Sequence, residues 1–176
     1  MVTPPEAAAR ATRVRLVVTD SDGVLTDAGV YYSERGEELK RFSIRDGMGV
    51  ERLRNAGIDT AIVTGERSGS VARRGEKLGL RHVLLGVADK RAELQRLLGA
   101  TGLAPAELAY IGDDVNDLGA IQLVGAAGLT GAPADAVPAV RDAVAYVCRA
   151  DGGRGAFREF AEWILDLRRE PSRRNA

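Results

Sequence analysis

Short β-branched runs alternate with helix-patterned stretches of about ten residues along nearly the whole chain, and few folds accept that rhythm. Residues 15–19, 58–63, 82–85, 108–111, 126–129 and 144–147 read as strands. Residues 46–55, 68–78, 90–98, 115–124, 134–141 and 156–167 read as helices, several of them followed by glycine. One early pair of strands departs from the rhythm. It flanks Ser33-Glu-Arg-Gly36-Glu and reads as a β-hairpin with Gly36 in its turn. Strands separated by helices need crossover connections, and these make a parallel sheet covered on both faces. The expectation is one α/β domain, doubly wound and Rossmann-like, with a central parallel sheet and a β-hairpin after the first strand. It spans residues 14–168, between a flexible leader (1–13) and a flexible tail (169–176).

In doubly wound sheets ligands bind beyond the carboxyl ends of the strands. Here four strand ends carry reactive residues. Asp20-Ser-Asp22-Gly23 follows the first strand: two acids one residue apart on a turn can converge on one small volume. An ionised carboxylate there can attack phosphorus, and a second carboxyl can exchange protons with the leaving oxygen and with water. Gly23 permits a tight turn that brings backbone N–H groups near phosphoryl oxygens. Thr64-Gly65 offers a hydroxyl and free amides at a helix start, which suits an anion. Lys90 opens a helix where its ammonium can neutralise a transferring phosphoryl group. Gly112-Asp113-Asp114-Val-Asn-Asp117 supplies acids for a metal and for holding the lysine or a water. Each cluster alone also has an ordinary reading as a turn, a helix cap or a surface charge. Their occurrence together at the ends of one sheet points to a site.

Composition narrows the chemistry further. Twenty-five basic and 25 acidic side chains cancel, so no global field favours nucleic acid or an anionic membrane. No apolar run approaches the ~20 residues that span a bilayer. The lone cysteine, Cys148, excludes an internal disulfide and a cysteine-rich zinc site, and suits a cytoplasmic protein.

The order and spacing of the four clusters resemble the haloacid dehalogenase superfamily, over essentially residues 15–167. The resemblance implies a phosphatase with Asp20 as nucleophile and Asp22 as general acid/base. Thr64 and Lys90 would bind and stabilise the phosphoryl group. Mg²⁺ would be held by Asp20, Asp113 and the backbone carbonyl of Asp22, with Asp114 and Asp117 orienting Lys90 and the metal waters. The second Asp of the first motif marks phosphatases within that superfamily. Residues 22–64 hold only a hairpin and one helix, and residues 64–90 one helix and a strand, so no cap domain is expected.

Asp22-Gly-Val-Leu-Thr-Asp27, Gly36-Glu-Glu-Leu-Lys40, Arg45-Asp-Gly47 and Gly152-Gly-Arg-Gly-Ala156 resemble the 3-deoxy-D-manno-octulosonate 8-phosphate phosphatase family. That implies a small sugar-acid phosphate as substrate and a homotetramer with hairpin 28–42 at the subunit interface, where Val30, Tyr31 and Tyr32 would lie. Thr64-Gly65-Glu66 departs from the Thr-Gly-Arg common there. Glu66, with Arg74 and Lys77, is more similar to the related branch acting on 2-keto-3-deoxynononate 9-phosphate. Glu66 would accept from sugar hydroxyls, and Arg74 or Lys77 would pair with the sugar carboxylate. Gly65, Arg45 and Arg154 complete the expected substrate contacts. Residues 146–163 are also similar to the phosphatase-like domain joined to some animal sialic acid cytidylyltransferases. The alternative is therefore a catalytically weak module serving oligomerisation beside such an enzyme.

Overall fold

The structure is a computed structural model and describes residues 3–174. Strands β1 (Leu16–Thr19), β4 (Asp59–Val63), β5 (His82–Leu84), β6 (Leu108–Ile111), β7 (Leu129–Ala132) and β8 (Tyr146–Val147) form one parallel sheet. The order is β5-β4-β1-β6-β7-β8. The chain runs outward from β1 to one edge and then returns to fill the other side. β1 and β6 thus flank the point where the winding reverses, and a cleft opens beyond their carboxyl ends. Strands β2 (Val30–Ser33) and β3 (Gly36–Lys40) pair only with each other, as the expected hairpin, with Gly36 closing the turn at φ +107°.

Alternation along β1 sends its side chains to two separate cores. Val17 joins Leu53, Ile62, Phe157, Phe160 and Ile164 on the face covered by α1 (Pro4–Ala11), α2 (Ile44–Asn55) and α7 (Ala156–Arg174). Leu16 and Val18 join Leu94, Leu97, Ile121, Val124 and Val140 beneath α4 (Lys90–Thr101), α5 (Leu118–Gly125) and α6 (Pro138–Arg141). Helix α3 (Gly69–Lys77) follows β4 and buries Val71 in the first core. Burial on both faces explains why the central strands are continuous apolar runs.

Several expected boundaries move. Of the expected leader, residues 1–2 lie outside the described residues and the rest folds: Pro4 starts a helix, the alanines continue it, and Ala7 and Ala11 pack into the core beside α7. Arg10 anchors it by donating to the Gly125 and Gly128 carbonyls at 2.8 Å each. Residues 126–129 are mostly not strand, because Ala127 and Gly128 cap α5 through the Val124 carbonyl, and β7 begins at Leu129. Helix α6 has only one turn, since Pro138 keeps Val137 extended at ψ 147°. The stretch from Val115 opens as a 3-10 turn before α5. Helix α7 continues past residue 167 to Arg174, into the expected tail, of which residues 175–176 lie outside the described residues. No described helix is long and apolar enough to cross a membrane. Among the described residues no cap domain is inserted; only the hairpin and α2 separate β1 from β4.

Candidate active site

The backbone N–H of Asp20 donates to the Ile111 carbonyl at 3.0 Å, so the β1 and β6 ends lie side by side. The loop then turns tightly, with the N–H groups of Val24, Leu25 and Thr26 all converging on the Ser21 carbonyl. Gly23 stands in this turn at φ +83°, and a Cβ there would lie 1.9 Å from Asp113 Oδ2. A side chain is excluded because the Asp113 carboxylate already fills the space.

Asp117 is the hub of the site. Its Oδ1 accepts from Lys90 Nζ at 2.7 Å and from the Tyr110 hydroxyl at 2.5 Å. Its Oδ2 accepts from the backbone N–H groups of Asp113 and Asp114, at 3.0 and 3.2 Å. Lys90, 2% exposed as the first residue of α4, also reaches Asp20 Oδ2 at 3.0 Å. The lysine therefore bridges the β1 and β6 loops. Thr64, buried at the end of β4, accepts from the Glu66 N–H at 3.3 Å, while Val87 N–H donates to the Thr64 carbonyl.

Three buried or half-buried carboxylates face one ammonium. Burial and then the charge of Asp117 push Asp20 from 3.8 to about 7, against the pull of Lys90. Burial and then Asp20 and Asp117 push Asp113 to about 8. Burial opposes the charge of Lys90, but Asp20 and Asp117 outweigh it and raise the ammonium's pKa. Such crowding calls for another cation. Asp20 Oδ1 and Asp113 Oδ1 are buried and lack any hydrogen-bond partner. Carboxylate oxygens of Asp20, Asp113 and Asp117 come within 4.8 Å of one another. Both Asp117 oxygens are already engaged, which leaves Asp20 and Asp113 as the free donors. An all-oxygen donor set of this kind fits a hard divalent ion such as Mg²⁺.

A pH effect follows. Raised carboxyl pKa values mean that the metal-free folded protein holds protons the unfolded chain has released. That contribution to stability is complete below 3.8 and is lost as pH rises through about 7 and about 8. The metal-free thermal midpoint should therefore fall from roughly pH 4 to pH 8 and level off above it, and Mg²⁺ should raise it more at the higher pH. Calorimetry with and without Mg²⁺ checks this; a Mg²⁺ increment independent of pH would contradict it.

The structure brings Asp20, Asp22, Gly23, Thr64, Lys90, Asp113 and Asp117 to adjoining strand ends, but other expected residues lie differently. Asp114 is exposed and its carboxylate accepts from the next backbone N–H at 2.6 Å, so it caps the 3-10 turn and does not touch Lys90. Arg74 donates to the Ser43 carbonyl at 2.9 Å and lies over the Phe42 ring. Its guanidinium ties α3 to the start of α2, and it makes no bond to Asp20, Asp22, Lys90 or Asp113. Gly65, Glu66, Lys77, Arg45 and Arg154 are exposed. Among the described residues none of the Glu66, Lys77, Arg45 and Arg154 side chains bonds to Asp20, Asp22, Lys90 or Asp113.

Two participants were not foreseen. Tyr110 is fully buried in β6, where a phenol among aliphatic residues signals a buried polar partner. Lys40, at the end of β3, reaches Asp22 Oδ2 at 2.6 Å with its side chain 0% exposed. Nothing in the local sequence of the hairpin marks that pairing.

A family profile described as haloacid dehalogenase-like hydrolase matches residues 45–125. The chain is 42% identical over 156 residues to the 3-deoxy-D-manno-octulosonate 8-phosphate phosphatase KdsC of Yersinia pestis, covering 89% of this chain and 82% of that one. It superposes with a TM-score of 0.85 and 38% identity on the cobalt-bound form of the Haemophilus influenzae enzyme, covering 90% of this chain and 91% of that one. A Moraxella catarrhalis enzyme of the same name, in complex with a magnesium ion, a phosphate ion and a KDO molecule, superposes with a TM-score of 0.86 at 36% identity. The coverage there is 92% of this chain and 91% of the other.

Proposed function

The chain belongs to the haloacid dehalogenase-like hydrolases, as a capless, Mg²⁺-dependent phosphatase of the 3-deoxy-D-manno-octulosonate 8-phosphate phosphatase family, and from that membership we propose that it hydrolyses a small sugar-acid phosphate through a phosphorylated Asp20. The observation that carries the reading is the buried Asp20–Lys90–Asp117 chain beside two unpartnered carboxylate oxygens.

Asp20 attacks phosphorus, and the ester oxygen leaves with a proton from Asp22. Asp22 then takes a proton from the water that cleaves the Asp20–phosphorus bond. Lys90, held by Asp117, and the Thr64 hydroxyl stabilise charge that builds on the phosphoryl oxygens. Backbone N–H groups of Gly23 and Gly65 line the same oxygens. Mg²⁺ would be held by Asp20, Asp113 and the Asp22 backbone carbonyl, and would supply the remaining positive charge at the phosphoryl group. The alternative, a weak module retained for oligomerisation, is not supported: no member of the acid–lysine set is missing.

The names of the relatives support an octulosonate 8-phosphate substrate. A nine-carbon acid is the second reading, supported by Glu66 and Lys77, whose exposed side chains have no ion-pair partner among the described residues. Arg45 and Arg154 stand by as further contacts to the sugar acid. The hairpin's Tyr31 and Tyr32 are 65% and 69% exposed, with Leu39 and Ile44 also bare. Exposed aromatics on this scale support burial against another copy in a homotetramer, with hairpin 28–42 at the interface. A cytoplasmic setting belongs to the same reading, supported by Cys148, a buried free thiol.

Phosphate release from octulosonate 8-phosphate, nononate 9-phosphate and mannose 6-phosphate tests the substrate class. Preference for the two acids is expected; equal turnover of the neutral sugar would overturn it. Light scattering on the same preparation should give a tetramer, and a monomer at micromolar concentration would remove the hairpin interface.

A further inference from the structure

Asp22 is held from two sides. Thr26 Oγ donates to its Oδ1 at 3.2 Å, from the same turn. Lys40 Nζ donates to its Oδ2 at 2.6 Å, from the far strand of the hairpin. The Lys40 side chain has lost all contact with solvent, while that of Asp22 keeps 20%. Withdrawing a long, flexible cation from water costs hydration and rotamer entropy, so such a lysine persists where strong partners offset both.

Lys40 has a second partner in Glu37, at 3.4 Å, and Glu37 accepts from the hydroxyl of Ser68, the residue that caps α3. The hairpin is thus tied through Lys40 to the loop after β1 and through Glu37 to the loop after β4. A third tie is Arg41 Nε to Asp27 Oδ2 at 2.9 Å. Because β2 and β3 form no ladder with the central sheet, these polar ties set where the hairpin lies and where Lys40 points.

We propose that Lys40 is a positioning residue for the reaction, fixing the direction of the Asp22 carboxyl group. This rests on the reading of Asp22 as general acid/base. In the first half-reaction the Asp22 proton passes to the ester oxygen as the oxygen–phosphorus bond breaks and the bond from Asp20 to phosphorus forms. In the second, a water proton passes to Asp22 as the water oxygen bonds to phosphorus and Asp20 is released. Both transfers need Asp22 within hydrogen-bond reach of an oxygen on the leaving-group side of phosphorus. A carboxyl on a turn would otherwise sample several rotamers. Thr26 restrains one oxygen, by a longer bond within the same turn. Lys40 restrains the other, from a separate element that cannot move with the turn. Lys40 acts through Asp22 and donates no proton to the ester oxygen itself; it holds Oδ2, leaving Oδ1, on the weaker Thr26 bond, to exchange the proton.

The test uses leaving groups of different acidity. An alkyl sugar phosphate needs a proton on its departing oxygen, whereas p-nitrophenolate departs without one. The ratio kcat/KM reports steps through release of the alcohol, so it isolates the first transfer. Lys40→Met should lower kcat/KM about 100-fold on the sugar phosphate and less than about threefold on p-nitrophenyl phosphate. Glu37→Gln/Lys40→Met removes both charges, avoids leaving Glu37 unpaired beside Asp22, and should show the same split; it serves if the single variant does not fold. Asp22→Asn is the reference and should show a wider split. Equal losses on the two esters in the Lys40 variants, with the split intact in Asp22→Asn, would overturn the role of Lys40. No split in Asp22→Asn would overturn the acid/base reading beneath it.

Discussion

Asp20→Asn should yield a folded protein that binds Mg²⁺ weakly and releases no phosphate, with turnover lower by on the order of 10⁴-fold or more. The amide is nearly isosteric but cannot attack phosphorus, and the neighbouring carboxylates are committed elsewhere, Asp113 to the proposed metal. Asp22 is tied to Lys40 and Thr26, and both oxygens of Asp117 are engaged. The fold should survive because Lys90 keeps its 2.7 Å bond to Asp117. Asp20 is itself strained as an anion, pushed to about 7 by burial and Asp117. Without Mg²⁺ and above that pH, the Asn protein should melt no lower than the native one, since a buried like charge has gone. Phosphate release and thermal midpoints on one preparation check both halves. Residual turnover within tenfold of native would exclude Asp20 as the nucleophile.

Gly23→Ala should be nearly as damaging to activity, for a different reason. Positive φ costs a non-glycine residue about 1–2 kcal/mol, which a domain of this size survives. The added methyl would also lie 1.9 Å from Asp113 Oδ2, so the carboxylate must turn away or the loop bearing Asp22 must lift. Either movement separates the two acids proposed as metal ligands. Activity should fall by roughly 10² to 10³-fold, with Mg²⁺ affinity lowered about 10 to 100-fold. Gly102→Ala is the control. It stands at φ +69° at the end of α4, with open space around its would-be Cβ, and should lose stability without loss of turnover. Kinetics and Mg²⁺ titration of the two variants separate backbone strain from displacement of Asp113. If both variants keep full activity, the close approach of Gly23 to Asp113 has no functional weight.

The candidate site was legible because each residue adjoins a strand end that its own neighbourhood announces. Leu16-Val-Val-Thr19 cannot be anything but a buried strand once the acids and Gly23 follow it, and the same holds for Leu108-Ala-Tyr-Ile111 before Gly112. The central parallel sheet, the hairpin and the absence of a cap came from the same local signals. Less legible were places where local signals compete. Ala126 to Gly128 carry no marker separating the end of α5 from the start of β7, and capping by the Val124 carbonyl decided it. The Ala-rich leader folds because α7 offers it an apolar face, which residues 1–13 cannot announce.

Charged side chains mark the deeper limit. Strand–helix order, the acids at the strand ends and the need for glycine beside them can be read from the residues, since these depend on period, propensity and turn chemistry over short stretches of chain. Which charges meet depends on packing between distant elements. Arg74 turns to the start of α2, Asp114 caps its own turn, and Asp117 collects Lys90 and Tyr110 across 27 and 7 residues. Lys40 reaches Asp22 across 18 residues, from a hairpin held to the sheet by side chains and not by a ladder. A long charged side chain carries no periodic signal of its partner; packing fixes that choice, because a charge withdrawn from water must find its counter-charge wherever the fold has placed it.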